Sequence, residues 1–136
     1  MSRKRRRHMR KAQQYLNFAS GIHDMLFIIG RHHPTVEKLQ RIVPKKRELD
    51  EMLSHLRRMR LIRTVRLHHY EPRIFVTEYG YAMRGFLEDH WEHMTVLSHF
   101  TGDRLPARGS IEPIMPVLLS ESNPRYRRIK RILERD

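Results

Sequence analysis

The sequence predicts a mainly α-helical fold carrying one small β-hairpin, with basic extensions at both ends. Three observations predict it. Apolar residues recur at steps of three and four through 12–31, 45–60 and 78–99. Two short β-branched runs, LIRTVRL and RIFVT, roughly alternate in polarity and flank a proline-containing HHYEP. Lys and Arg crowd both 1–11 and 125–136.

Taken in order, residues 1–11 come first, with Arg3, Lys4, Arg5, Arg6 and Arg7 in succession and no acid among them. Like charges at that density repel one another, so a disordered arm is expected until the block meets phosphate. Over 12–31, Leu16, Ala19, Ile22, Leu26 and Ile29 trace one helix face. Gly21 weakens that helix by about 1 kcal/mol. His32-His33-Pro34 should end it, because a residue before proline avoids the α region. Residues 35–43 read as a short helix capped by Thr35, with Val36, Leu39 and Ile42 or Val43 on its apolar side. Pro44 either breaks the chain there or opens the next helix.

Residues 45–60 give the clearest pattern. Leu49, Met52, Leu53, Leu56 and Met59 form one narrow apolar stripe, and charge occupies the other faces. Glu48 and Glu51 suit the start of a helix, and Arg57, Arg58 and Arg60 suit its end. The strands are expected at 61–67 and 73–77, joined by a five-residue tip. Proline confines that tip to a loop. Thr77 is the candidate N-cap of a helix over 78–99. Its seam runs through Tyr79, Met83, Phe86, His90, Met94 and Leu97. Residues 100–124 are punctuated by Gly and Pro and read as a linker, in which IMPVLL offers apolar groups for packing. Residues 125–136 read as a short basic helix or a second tail. One domain at 12–99 is therefore expected.

Composition narrows the function. The chain has 136 residues and a formal charge of +13. Its cations are 22 Arg and 6 Lys. So many unpaired cations on a small body are relieved by an anionic partner, and nucleic acid is the commonest. Guanidinium groups also suit phosphate pairs and guanine edges. The chain has no cysteine, which removes disulfides, zinc knuckles and thiol catalysis. Neither a secretory leader nor a membrane partner is expected, since the apolar runs are too short. No phosphate-binding glycine loop, nucleophile elbow or paired-carboxylate spacing is present, so an enzyme is not expected. No cofactor is implied. His90 and His93 share a helical face, but without further ligands no metal site is expected. His23 and Asp24, as helix neighbours, should point apart and form no dyad.

The element order is helix, short helix, turn, helix, hairpin, helix. With VEKLQRIVPKKRELDEMLSHLRRMRLIRTV followed by RIFVTEYGYAMRGFL, the chain resembles winged helix-turn-helix regulators of the MarR, PadR and ArsR kind over about 12–99. "RMRLI" looks like the helix-to-wing junction, and "VTEYG" like the wing-to-helix junction capped by threonine. Arg60 stands where many such proteins place a glycine. The resemblance implies that 45–58 enters the major groove of a duplex. Lys45, Lys46 and Arg47 would lie near the groove mouth, with Ser54, His55, Arg57 and Arg58 further along. His68, His69, Tyr70 and Arg73 would meet the minor groove or backbone, and the N-terminal arm would wrap the duplex. The resemblance also implies a homodimer through Phe86, Trp91, Met94 and Leu97.

The function expected is sequence-preferring duplex DNA binding in transcriptional regulation. The alternatives are an RNA- or ribonucleoprotein-binding domain, or a factor that binds RNA polymerase. The expected location is the cytoplasm or nucleoid, or the nucleus of a eukaryote.

Overall fold

A computed structural model describes residues 3–98 and 113–135. Its elements, in chain order, are α1 (Arg3–His32), α2 (Val36–Ile42), α3 (Lys46–Arg58), β1 (Ile62–Val65), β2 (Arg73–Val76), α4 (Glu78–Ser98) and α5 (Pro124–Leu133). The fold is mainly α, with one two-stranded antiparallel hairpin that pairs Ile62 with Val76 and Val65 with Arg73. No described helix is long and apolar enough to cross a membrane.

The first helix is longer than expected. It begins at Arg3, so the cationic block forms its opening turns instead of a disordered arm. Arg, Lys and Met are good helix formers, and the block runs straight into the Ala12–Leu16 turn that the core already fixes. At its other end, α1 stops by a different device from the one proline implied. His33 takes a left-handed conformation with φ 43°, and its amide donates to the Ile29 carbonyl at 2.9 Å.

Helix α1 is the spine of the core. Leu16, Leu26 and Ile29 are fully buried, together with Leu39 of α2, Leu49 and Leu56 of α3, and Ile74 of β2. Short helices such as α2 gain stability mainly from this packing. Thr35 caps α2 as expected, accepting from the Lys38 amide at 3.2 Å. The hairpin is tied to the turn before α2 by a single bond, from the Ile74 amide to the Pro34 carbonyl at 2.9 Å.

Helix α3 ends in a Schellman motif. The Arg60 amide donates to Arg57 O and the Leu61 amide to Leu56 O, both at 2.9 Å. Arg60 itself sits at φ 59°, the conformation that glycine would adopt without strain. Thr77 then caps α4 as expected, accepting from the Gly80 amide at 3.1 Å. Only a glycine fits at 80. A Cβ there would lie 2.2 Å from the Leu61 carbonyl oxygen and 2.4 Å from Val76 Cγ1.

Of the segment expected as a linker, residues 100–112 lie outside the described residues and 113–123 pack on the same body, and the short basic helix expected after it forms over Pro124–Leu133. Residues 113–120 run across α1 and α4 without helix or strand, and a turn at 121–122 leads into α5. Gln13 of α1 brackets Ile114, donating to its carbonyl at 2.9 Å and accepting from its amide at 2.8 Å. Leu119, Tyr126 and Leu133 enter the main core. Asn123 caps α5 by accepting from the Arg125 amide, and Pro124 takes the first helical position. Tyr126 packs edge-on to Phe27, with ring centroids 5.0 Å apart, and its hydroxyl lies 2.8 Å from His32 Nε2. Burial holds the His32 pKa below its ordinary value, against the opposing pull of Glu134. Burial likewise pushes the Tyr126 phenol up. A neutral imidazole that accepts from a protonated phenol satisfies both groups. The IMPVLL run did announce apolar packing. What it packs against is set by α1 and α4, which lie far away in sequence.

Candidate nucleic-acid interface

The burial of α3 decides which of its side chains face outward. Leu49, Leu53 and Leu56 point into the core, at the three-and-four spacing of one helix face. Lys45, Lys46, Arg47, Asp50, Glu51, Ser54, Arg57 and Arg58 are exposed, as the stripe requires. Met59, expected on the apolar stripe, is 37% exposed, because it follows the last helical residue. Arg47 is 92% exposed and pairs only with Glu51, at 3.2 Å on the same helix. Lys45 and Glu48 approach to 3.8 Å. Exposed pairs of this kind contribute well under about 1 kcal/mol, so both cations can be transferred to a polyanion at small cost. The acids of α3 therefore temper its charge without locking it.

Two side chains of α3 are more constrained than the sequence implied. His55 is only half exposed, and its ring packs edge-on to Phe18 of α1 with centroids 5.1 Å apart. It therefore bridges α3 to α1 instead of standing free beside Ser54 and Arg58. Arg57 donates to Thr64 Oγ1 at 3.3 Å, which ties the end of α3 to β1.

The hairpin extends the same cationic run. Arg63 of β1 and Arg73 of β2 are exposed, with Arg66, His68, His69 and Tyr70 in the tip. The strands are shorter than expected, so the tip spans 66–72. His68 takes φ 54°, and the Tyr70 amide closes a turn on the Leu67 carbonyl at 3.1 Å. In the N-terminal block Arg3 and Arg7 are exposed, while the side chains of Lys4, Arg5 and Arg6 lie outside the described residues.

The expected dimer residues separate. Met94 is 4% exposed and belongs to the core. Trp91 packs against that core and donates its indole N–H to the Pro116 carbonyl at 2.9 Å. Phe86 remains outside, touching His90. Leu97's side chain lies outside the described residues. Trp91 therefore helps to hold residues 115–119 against α4 within the same chain.

Sequence reasoning missed two features. The first is the docking of the basic C-terminal helix: α5 buries Tyr126 and Leu133 in the core and so turns Arg127, Arg128, Lys130 and Arg131 outward as a second cationic surface. The spacing of Tyr126, Ile129 and Leu133 was its signal. The second corrects an expectation. His23 and Asp24 do meet, with Nδ1 3.0 Å from Asp24 Oδ1, and Nε2 lies 2.8 Å from Glu88 Oε1 of α4. His23 is wholly buried, and Phe27 stacks on it. Each ring nitrogen thus lies within hydrogen-bond distance of a carboxylate oxygen. Asp24 also accepts from the Leu119 amide at 2.9 Å, and its second oxygen takes Arg125 at 2.9 Å. Nothing local in the sequence reveals this chain, because Glu88 and Arg125 arrive from other helices. Its place between α1, α4 and α5 makes it a structural clasp.

Among the described residues no group of three or more His, Cys, Asp or Glu side chains is close enough to hold a metal ion. Comparisons with protein families, with curated proteins and with solved structures find no match to this chain.

Proposed function

We propose that this protein is a winged helix-turn-helix module that binds duplex DNA with sequence preference, as a transcriptional regulator does. One observation carries the reading: α3 buries only its leucine stripe and, with its cap Lys45, presents Lys46, Arg47, Arg57 and Arg58 outward, next to a hairpin whose exposed side chains include Arg63, Arg66 and Arg73. A helix of about 10–12 Å diameter with its side chains fits the major groove, about 12 Å wide. On that geometry α3 meets base edges and the hairpin meets the flanking backbone. The electrostatic part of the binding comes from counterion release, about 0.9 in salt slope per phosphate neutralised.

Structured RNA is the second reading, and the α5 surface favours it. Cations on α5, α3 and the opening turns of α1 spread over more of the molecule than one groove contact needs, as expected of a domain that tracks a folded backbone. Selection from a random duplex library, with structured RNA as competitor, decides between them. Enrichment of a motif that RNA does not displace supports duplex recognition, and displacement by RNA supports the second reading.

A further inference from the structure

A cleft of about 530 Å³ opens between α2 and the hairpin, within the size range of small-molecule sites. Its two walls differ in chemistry. Helix α2 contributes Lys38 and Arg41, three residues apart and so on one face. The hairpin contributes Tyr70, Arg73 and Phe75. Arg73 and Phe75 alternate onto the same side of β2.

The cleft is built on fixed groups. His33 stacks on Phe75 with ring centroids 4.2 Å apart and planes 17° from parallel, and the Ile74–Pro34 bond fixes the strand beside it. Tyr70, by contrast, is 74% exposed and meets no other described aromatic ring. Among the described residues Lys38 and Arg73 make no ion pair. Arg41 gives one nitrogen to the Arg135 carbonyl at 2.7 Å, and its other N–H groups meet no partner among the described residues. Glu37 and Glu71 also line the cleft, yet neither pairs with these cations.

An occupant that suits all of these groups carries an anion for Lys38, Arg41 and Arg73, a flat ring for Tyr70, and N–H or O–H donors for the two carboxylates. A bare phosphate would leave the aromatic ring unused. A simple aromatic acid would leave two carboxylates facing nothing they can accept from. We infer that the cleft between α2 and the hairpin binds a single unpaired nucleotide, with its base stacked on Tyr70 and its phosphate held by Lys38, Arg41 and Arg73. Stacking on an exposed aromatic ring next to cations is the general way in which unpaired bases are held. That nucleotide is either a free mononucleotide or an unpaired residue of a longer strand. The cleft shares Tyr70 and Arg73 with the hairpin contact of the duplex reading, while Lys38 and Arg41 belong to the cleft alone.

The test uses the full chain and two kinds of probe. Adenosine monophosphate is titrated by NMR, with adenosine as the control lacking phosphate. A blunt duplex is compared in a binding assay with the same duplex carrying one unpaired nucleotide. Shifts confined to α2 and residues 66–75 on adding the mononucleotide, about tenfold or more weaker in Tyr70→Ala and retained in Tyr70→Phe, support the free-nucleotide source. Lys38→Gln should weaken the monophosphate and leave adenosine unchanged. Tighter binding of the overhang than of the blunt duplex, with the preference abolished by Tyr70→Ala, supports the strand source. Either result sustains the inference. It is overturned if the mononucleotide leaves the cleft unperturbed and the overhang gains nothing, or if Tyr70→Ala binds both probes as the native chain does. Failure of blunt-duplex binding alone counts against the duplex reading and leaves the cleft's own measurements intact.

Discussion

The Thr77 hydroxyl donates to the Arg60 carbonyl at 2.6 Å, and so joins the residue that ends α3 to the residue that begins α4. The same oxygen accepts from the Gly80 amide, and the Thr77 amide donates to the Leu61 carbonyl at 3.0 Å. The two ends of the hairpin are thereby pinned together at its base. Thr77→Ala should cost about 1–2 kcal/mol in chemical denaturation, through loss of a cap and a buried-side partner. Gly80→Ala should cost about 1–3 kcal/mol or more, because the added methyl meets backbone that has no room to yield. A Gly80→Ala protein as stable as the native chain would refute this account of the junction.

Arg60 offers the opposite sign. It holds φ 59° at the position following the α3 cap, where a side chain is strained and glycine is not. Arg60→Gly should therefore raise the unfolding free energy by about 0.5–1 kcal/mol after the greater freedom of glycine in the unfolded chain is subtracted, read as a higher denaturation midpoint. The same change removes one exposed cation, so DNA affinity should fall slightly while stability rises. Measuring both quantities on one variant separates the two effects.

Arg47 and Arg58 test the outward face of α3. Arg47→Ala and Arg58→Ala leave the core untouched, so melting temperature should stay within experimental error. A side chain that contacts a base should cost about 1–3 kcal/mol at one position of the selected site. A side chain that contacts phosphate should weaken all sequences alike and reduce the salt slope by about 0.9. Unchanged affinity in the double variant would remove α3 from the interface.

Stability should fall on the acid side of neutrality, with His32 as a contributor. Its folded pKa lies below the ordinary value of 6.5, so the unfolded chain takes up its proton first. The contribution of the neutral ring is whole above about pH 6.5 and is lost as pH falls through the depressed folded value. Denaturation midpoints measured across that window should drop less steeply in His32→Phe than in the native chain. Equal slopes would exclude His32 as a source of the acid sensitivity.

The clasp around Asp24 should hold the C-terminal segment in place. Asp24→Ala strips the partner from His23 Nδ1, the Leu119 amide and Arg125 together. About 2 kcal/mol or more should be lost, since bonds to an ionised group and a newly unpaired buried donor both count. Limited proteolysis should then cut within 113–124 well before it cuts α1. A variant whose C-terminal segment stays as resistant as before would show that apolar packing alone suffices to hold it.

The sequence by itself determined what depends on neighbours within one turn or one hairpin. The leucine spacing of α3, the Thr35 and Thr77 caps, the β-branched strands and the cationic outer faces all express short-range rules of periodicity and capping. Those rules placed α2, α3, the hairpin and α4 in the right order. They also marked the α3 side chains left in solvent. The tertiary structure alone decided what depends on residues far apart. Whether the Arg3–Lys11 block is helical turns on its continuity with a helix fixed by the core. Whether Trp91 finds a partner for its indole N–H turns on Pro116, 25 residues away, arriving beside it. Whether His23 Nε2 meets a carboxylate turns on Glu88, 65 residues away on α4. The physical reason is common to all three: short-range preferences set which face is apolar, and the partner that covers that face is chosen by the packing of the whole chain.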